Sequence, residues 1–278
     1  MMATSIRLLA FAVVMLAACV KVAQAADASV WSADAHARVR LLAGGGRSDA
    51  VSAGVEIQLD PGWKTYWRYP GDSGVPPRFD FAGSQNVRSV SVLWPAPHRF
   101  SDEAGDSIGY KGSIVFPLKI AAQDATKPVV LHLKLDYAVC EKLCVPAEGR
   151  AELALAGGSS SLQPLLSAAE ARVPQPVSLG QDGPLAVRTV RRDASTKPQK
   201  VIVDVAAPAG ADLDLFVEGP TPEWALPLPK PAPGAPPGLR RFVFDLDGVP
   251  PGARSTGAVL TLTLVAPAAA IEVKTRLD

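Results

Sequence analysis

The sequence predicts an all-β protein built as two antiparallel β-sandwiches joined by one short helix. Three observations carry that expectation. Apolar and polar residues alternate with period two on both sides of a single stretch of helical period. The 26 prolines and 23 glycines fall as isolated breaks between short β-branched runs, which excludes long helical bundles and collagen. At 278 residues and 48% hydrophobic side chains, the chain has enough material for two cores. With 28 basic and 27 acidic side chains, the net charge of +1 gives no reason to invoke nucleic acid or an anionic membrane. Phosphate-loop, dinucleotide-binding, zinc-protease and serine-hydrolase motifs are missing from the sequence.

Taken in order, residues 1–25 read as a secretory signal: Arg7, the apolar run Leu8–Val20, then Ala23-Gln24-Ala25. The run is too short for a membrane-spanning helix, and no later stretch approaches the length one needs. The ending favours cleavage after Ala25, while Leu16-Ala17-Ala18-Cys19 also fits a lipoprotein box in which Cys19 is lipidated. Either way the expected compartment is the periplasm, where thiols oxidise.

Strands are expected at Ala37–Leu41, Val51–Leu59, Val87–Leu93, Ser113–Ile120, Val129–Tyr137 and Arg150–Ala156. Gly157–Ser161 interrupts the pattern, and Leu162, Leu165, Leu166, Ala169 and Val173 mark one amphipathic helix ended by Pro174. A second β pattern starts near Leu185 and continues through Lys200–Val205, Asp212–Glu218, Arg240–Leu246, Ala258–Val265 and Ala270–Leu277. The proline-rich stretch from Pro220 to Gly238 reads as an extended surface loop. The domains expected are therefore 27–156, a linker with a short helix at 157–179, and 180–278, which has neither His nor Cys.

Cys140 and Cys144 follow directly on a strand whose Val129, Leu131, Leu133, Leu135 and Tyr137 share one face. If Glu141-Lys142-Leu143 is a hairpin loop, the two cysteines oppose each other with Cα atoms roughly 4.5–5.5 Å apart, within disulfide range. As a stabiliser the bond is poorly placed, since a five-residue loop removes about 2 kcal/mol of unfolded-state entropy against about 4 for a fifty-residue one. A short, edge-located disulfide suits exchange with an attacking thiolate; the competing reading is a static clip. Lys142 would favour a thiolate and Glu141 oppose it. Zinc would need two further ligands, for which His98 and His132 qualify only by count, so no metal or other cofactor is expected.

Other residues carry competing readings. Trp63, Tyr66, Trp67 and Tyr69 form a core-packing cluster at a strand end, or else a partner-docking patch or a sugar platform. His98 is a surface residue or a proton acceptor near the leaving thiol, His132 lies on the polar face of its strand, and Asp102 and Glu103 are solvated or tune the cysteines.

Tyr137-Ala-Val-Cys140, Cys144-Val-Pro146, the upstream Gly62-Trp63-Lys-Thr-Tyr66, and Trp94 followed by the polar segment to Tyr110 and Ile114–Leu118 together resemble the amino-terminal periplasmic domain of DsbD-type thiol:disulfide interchange proteins. The resemblance covers about residues 34–156. It implies an immunoglobulin-like sandwich, a catalytic pair Cys140 and Cys144 supported by Tyr137, Glu141, Lys142 and Pro146, and a cap loop containing His98, Phe100, Asp102, Glu103 and Tyr110. It also implies that Cys144 forms the mixed disulfide with partners and Cys140 resolves it. The spacer between the cysteines is shorter here than in the family, and Asp102-Glu103-Ala104-Gly105 lacks the family's aromatic cap pair, so Phe100 or Tyr110 would have to serve. The family's polytopic membrane segment and thioredoxin-like domain are not in this sequence. The partners implied are thus thioredoxin-like or cytochrome c maturation proteins, with a membrane-embedded thiol reductant acting in trans. The alternative is a non-enzymatic secreted scaffold with a structural disulfide.

Overall fold

Alternation along the strands resolves into two pairs of facing sheets. The computed structural model of the protein describes residues 26–45, 52–71, 74–102, 105–155 and 158–278. The leader with Cys19, and Glu103 of the expected cap, lie outside the described residues.

The first half contains β1 (Ser32–Asp34), β2 (Ala37–Ala43), β3 (Ala53–Leu59), β4 (Lys64–Gly71), β5 (Arg78–Asp80), β6 (Val87–Val92), β7 (His98–Asp102), β8 (Gly105–Lys111), β9 (Ser113–Ala122), β10 (Val129–Cys140) and β11 (Cys144–Leu155). After α1 (Gln163–Glu170) follow β12 (Gln175–Val177), β13 (Ala186–Asp193), β14 (Lys200–Ala206), β15 (Asp214–Glu218), β16 (Lys230–Ala232), β17 (Arg240–Asp245), β18 (Val259–Ala266) and β19 (Ala269–Arg276). A sheet ordered β1-β2-β3-β9-β6 faces one ordered β11-β10-β4-β8-β7, to which β5 adds by pairing with β10. Their inward residues, among them Val39, Ile57, Trp67, Phe116, Leu131 and Leu135, form one buried cluster. This is the all-β sandwich the alternation predicts.

The second half repeats the scheme with sheets β12-β19-β18-β15 and β13-β14-β17-β16, packed around Val203, Leu215, Phe242, Leu262 and Val273. The helix is no free connector. Leu166, 0% exposed, and Ala169 pack on Leu42 and Val115, and Leu166 sits so close to Gly54 that a Cβ there would lie 2.6 Å from it. The stretch from Pro220 to Gly238 also departs from expectation. Trp224, Leu226 and Leu228 are buried, and Lys230–Ala232 pairs with β17. Alternate apolar residues turn inward there while the prolines occupy an edge that needs no N–H.

Candidate functional site

The site begins with the longest ladder among the described residues. β10 and β11 stay paired from Val129↔Leu155 to Cys140↔Cys144, and the two sulfurs are bonded across a Cα–Cα distance of 4.2 Å, slightly under the expected range. The outer N–H groups of β11 fix the pairing type. Glu148 donates its N–H to Asp34 Oδ2 and Arg150 donates its own to Ser32 Oγ, so these groups face away from β10. Counting back by twos, Pro146 and Cys144 face the same way. Cys140 and Cys144 thus occupy a narrow, non-hydrogen-bonded pair, the close spacing at which a cross-strand bond closes without moving the backbone.

Strand parity then separates the predicted support residues. Odd positions of β10, including Tyr137 and Val139, belong to the core, whereas Ala138 and Cys140 turn outward and cluster with Tyr66. Tyr137 therefore does not share a face with Cys140; three residues of separation on one strand reverse direction. Burial, with a smaller contribution from Asp34, pushes the Tyr137 hydroxyl up to about 12. Glu141, Lys142 and Leu143 are exposed at the hairpin tip, with Leu143 78% exposed. The Glu141 carboxylate folds back over the turn at Gly62. Pro146 is exposed opposite Ala138 on the outermost strand of the sheet, where it has no N–H to leave unpaired.

The two sulfurs are not equivalent. Cys140 is 2% exposed and has β4 on its far side, through the pair Cys140↔Lys64, while Cys144 is exposed. From β4, Tyr66 donates its hydroxyl to Cys140 Sγ at 2.7 Å and lies 3.1 Å from Cys144 Sγ. Tyr66 is itself 2% exposed. Two glycines make room for its ring. Gly109, paired with Tyr66, lets β8 approach so closely that a Cβ would lie 1.9 Å from the Thr65 carbonyl oxygen. Gly74, at φ +151°, carries the chain over the ring, where a Cβ would stand 2.4 Å from Tyr66 Cε1. Thr65 adds a tie between the strands by donating Oγ1–H to the Ala138 carbonyl at 2.9 Å. Lys64, directly across from Cys140 and buried, donates Nζ–H to Ser107 Oγ at 2.9 Å.

The segment expected to be a cap loop is instead the hairpin β7–β8 at the edge of the same sheet. Its pairs His98↔Gly109 and Phe100↔Ser107 set His98 and Phe100 on the outer face, and the Phe100 ring lies 4.8 Å from Lys111 Nζ and 5.9 Å from Lys64 Nζ. Asp102 ends β7. Tyr110 belongs to the opposite face. Its ring meets Phe116 edge-on in the core, its hydroxyl donates to the Pro95 carbonyl at 2.8 Å, and burial raises its pKa well above the usual phenol value. Even positions of β7 oppose odd positions of β8, so Tyr110 cannot join Phe100. The aromatic group on the sulfurs is Tyr66, which the sequence pattern offered in Gly62-Trp63-Lys-Thr-Tyr66 but which reads there as core packing. His132 pairs with Glu152 at 3.5 Å on the outer face of β10, away from the cysteines. Among the described residues no cluster of His, Cys, Asp and Glu could hold a metal ion, and no helix is long and apolar enough to cross a membrane.

Residues 31–156 match the family model described as thiol:disulfide interchange protein DsbD, N-terminal, so the resemblance over 34–156 holds. The N-terminal periplasmic domain of ScsB from Proteus mirabilis has a similar fold, with a TM-score of 0.72 and 22% identity over 91% of this chain and 98% of that chain. A conserved domain protein from Bacillus anthracis aligns over 87% of this chain and 78% of that one with a TM-score of 0.23 and 8% identity. No curated protein matches the chain.

Proposed function

From the match of residues 31–156 to the DsbD amino-terminal family model, we propose that the protein is a periplasmic thiol–disulfide exchange protein relaying reducing equivalents through Cys140 and Cys144. The observation that carries the reading is the inequality of the sulfurs: one exposed at a sheet edge, the other buried under a hydrogen-bond donor. An incoming thiolate attacks Cys144 Sγ in line with the bond, forming a mixed disulfide as the Cys140–Cys144 bond breaks. Cys140 leaves as a thiolate, and the Tyr66 hydroxyl stabilises the charge as it develops. A second thiol of the donor then resolves the mixed disulfide, leaving two electrons on the pair. In the forward transfer the Cys144 thiolate attacks an acceptor disulfide and Cys140 resolves it. Pro146 and the Cys144 backbone form the open edge presented to partners, and Glu141 and Lys142 the charged tip. Phe100 and His98 of the β7–β8 hairpin serve as the shield against other oxidants.

The donor is a membrane-embedded thiol reductant in trans and the acceptors are thioredoxin-like or cytochrome c maturation proteins. The periplasmic origin of the ScsB domain supports the compartment, reached through the leader at 1–25. The working domain limits are 27–156, 157–179 and 180–278. The test is trapping. Cys140→Ser should accumulate a mixed disulfide with a thioredoxin-like periplasmic protein, and Cys144→Ser should not. The opposite pattern reverses the assignment, and a native bond that small thiols cannot reduce returns the protein to the scaffold class.

A further inference from the structure

The ladder between β4 and β8 runs through Lys64↔Lys111 and Tyr66↔Gly109, then breaks and resumes only at Gly71↔Ser107. Residues 67–70 are therefore out of ladder, immediately after the tyrosine that holds the sulfurs. They are bound instead by the second half of the chain. The Trp67 ring meets Phe216 at 5.7 Å. Arg68 donates to both Glu218 oxygens, at 2.9 Å from Nε and 2.7 Å from Nη2, and to Glu272 Oε2 at 2.6 Å. Tyr69 donates its hydroxyl to the Leu226 carbonyl at 2.7 Å. Next to them Arg99 of β7 holds Asp214 through Nε and Nη2 and donates to the Pro229 carbonyl. Asp214, Phe216 and Glu218 are alternate residues of β15, so one face of one edge strand makes three of these contacts.

We propose that residues 180–278 act as a positioning element for the redox site, with β15 holding Arg68 and Trp67 so that Tyr66 stays on the sulfurs. This deepens the exchange reading and rests on it. The ion pairs are built for the purpose: Arg68, Glu218 and Glu272 have side chains no more than 25% exposed, and a bidentate guanidinium–carboxylate pair fixes direction as well as distance. Burial opposes the Arg68 charge, but the hydrogen bond and charge of Glu218, aided by Glu272, outweigh it and hold the pKa above the usual guanidinium value.

The experiment uses the full chain carrying Cys19→Ser and Cys144→Ser, so that Cys140 is the thiol followed by ultraviolet absorbance. Glu218→Gln with Glu272→Gln is expected to raise the Cys140 thiolate pKa by about half a unit, a fraction of what complete loss of a hydrogen bond to a charged group gives. The sign is diagnostic, because deleting two nearby negative charges would by itself lower that pKa. In a Tyr66→Phe background the same pair of substitutions should produce no further rise, since the effect passes through Tyr66. Circular dichroism checks the fold, and Glu272→Gln alone, expected to give a smaller rise, serves if the double variant does not fold. An unchanged or lowered pKa, or an equal rise in the Tyr66→Phe background, overturns the positioning role. With both cysteines present, a bond that dithiothreitol opens while the pKa stays unmoved overturns this inference alone; a bond that resists reduction overturns the exchange reading with it.

Discussion

Replacing Tyr66 with Phe removes a single hydroxyl from the sulfurs and leaves the ring under Gly74 in place. The oxidised pair offers that hydroxyl a neutral sulfur, a weak acceptor, whereas the reduced pair offers a thiolate. A hydrogen bond to a neutral group contributes about 0.5–1.5 kcal/mol and one to a charged group about 1.5–3, so the difference favouring the thiolate is about 1–2 kcal/mol. At 1.36 kcal/mol per unit, the Cys140 thiolate pKa should rise by about one unit. Stabilisation lost from the reduced state makes the disulfide harder to open. For a two-electron couple in which 30 mV equals about 1.4 kcal/mol, the potential should fall by about 20–40 mV wherever the thiolate is the reduced species. Both atoms of the contact are shielded, with Tyr66 and Cys140 each 2% exposed, so water cannot easily replace the lost donor. The assays are thiolate absorbance against pH in Cys19→Ser/Cys144→Ser with and without Tyr66→Phe, and equilibration of Cys19→Ser, which keeps the Cys140–Cys144 pair, in glutathione buffers. A pKa that moves by less than a few tenths, or a potential that rises, would refute the assignment of Tyr66 as the thiolate's donor.

Two further outcomes concern the frame around the site. Leu166→Ala should destabilise the chain by about 2–4 kcal/mol, because the residue is fully buried between Leu42, Val115 and Gly54 and the rigid sheet beneath cannot collapse into the cavity. Urea unfolding measures it, and the Cys140 pKa should stay unmoved. Asp204, buried in the second half, accepts hydrogen bonds from Arg241 Nε and Nη2, and these hold its pKa below the ordinary carboxylate value of 3.8 against the opposing effect of burial. A depressed folded-state pKa gives stability that is fully present above the unfolded value and is lost as pH falls through the folded one. Asp204→Asn should thus be less stable than the parent at neutral pH, with the gap narrowing below about pH 4; a constant gap down to pH 2 would refute it.

How far the sequence could be read depended on whether parity within one strand was enough. The β10 face was legible because Val129, Leu131, Leu133, Leu135 and Tyr137 alternate without interruption, and the opposition of Cys140 and Cys144 followed from a three-residue spacer. The same parity sets Tyr137 off the cysteine face, although the family resemblance counts it among the supports of the pair. Tyr110 was different: placing it required knowing that Asp102 pairs with Gly105, which puts even residues of β7 beside odd residues of β8. Tyr66 was harder still. Its strand is aromatic on both faces, Trp67 inward and Tyr66 outward, so composition alone suggested a single core cluster. Burial of the outward residue comes from Gly74 and Gly109, neighbours that lie far from it along the chain or across a ladder. In the second half, Trp224, Leu226 and Leu228 were hidden by the prolines between them, since proline reads as surface unless the alternate residues have a core to enter.

The difference between the two sulfurs is a consequence of where the hairpin sits and not of the residues within it. The spacer Glu141-Lys142-Leu143 is exposed at the tip, with the Glu141 carboxylate folded back over the turn at Gly62, and none of its side chains covers Cys144, which is itself exposed. What breaks the symmetry is that β10 has β4 beyond it while β11 has no strand beyond it in its sheet. On that outer side Asp34 and Ser32 take up the N–H groups of Glu148 and Arg150, and the cover stops two residues short of Pro146. An attacking thiolate therefore has an open approach to Cys144 along the free edge, and none to Cys140, whose far side is filled by Lys64, Thr65 and Tyr66. The same strand that closes the approach to Cys140 also supplies the hydroxyl that would stabilise it as a leaving group in the proposed exchange. Burial, which taken alone would disfavour a thiolate, is thus accompanied by a polar contact that favours it. That pairing makes the inner cysteine suited to leave and to resolve, and the outer one suited to meet a partner.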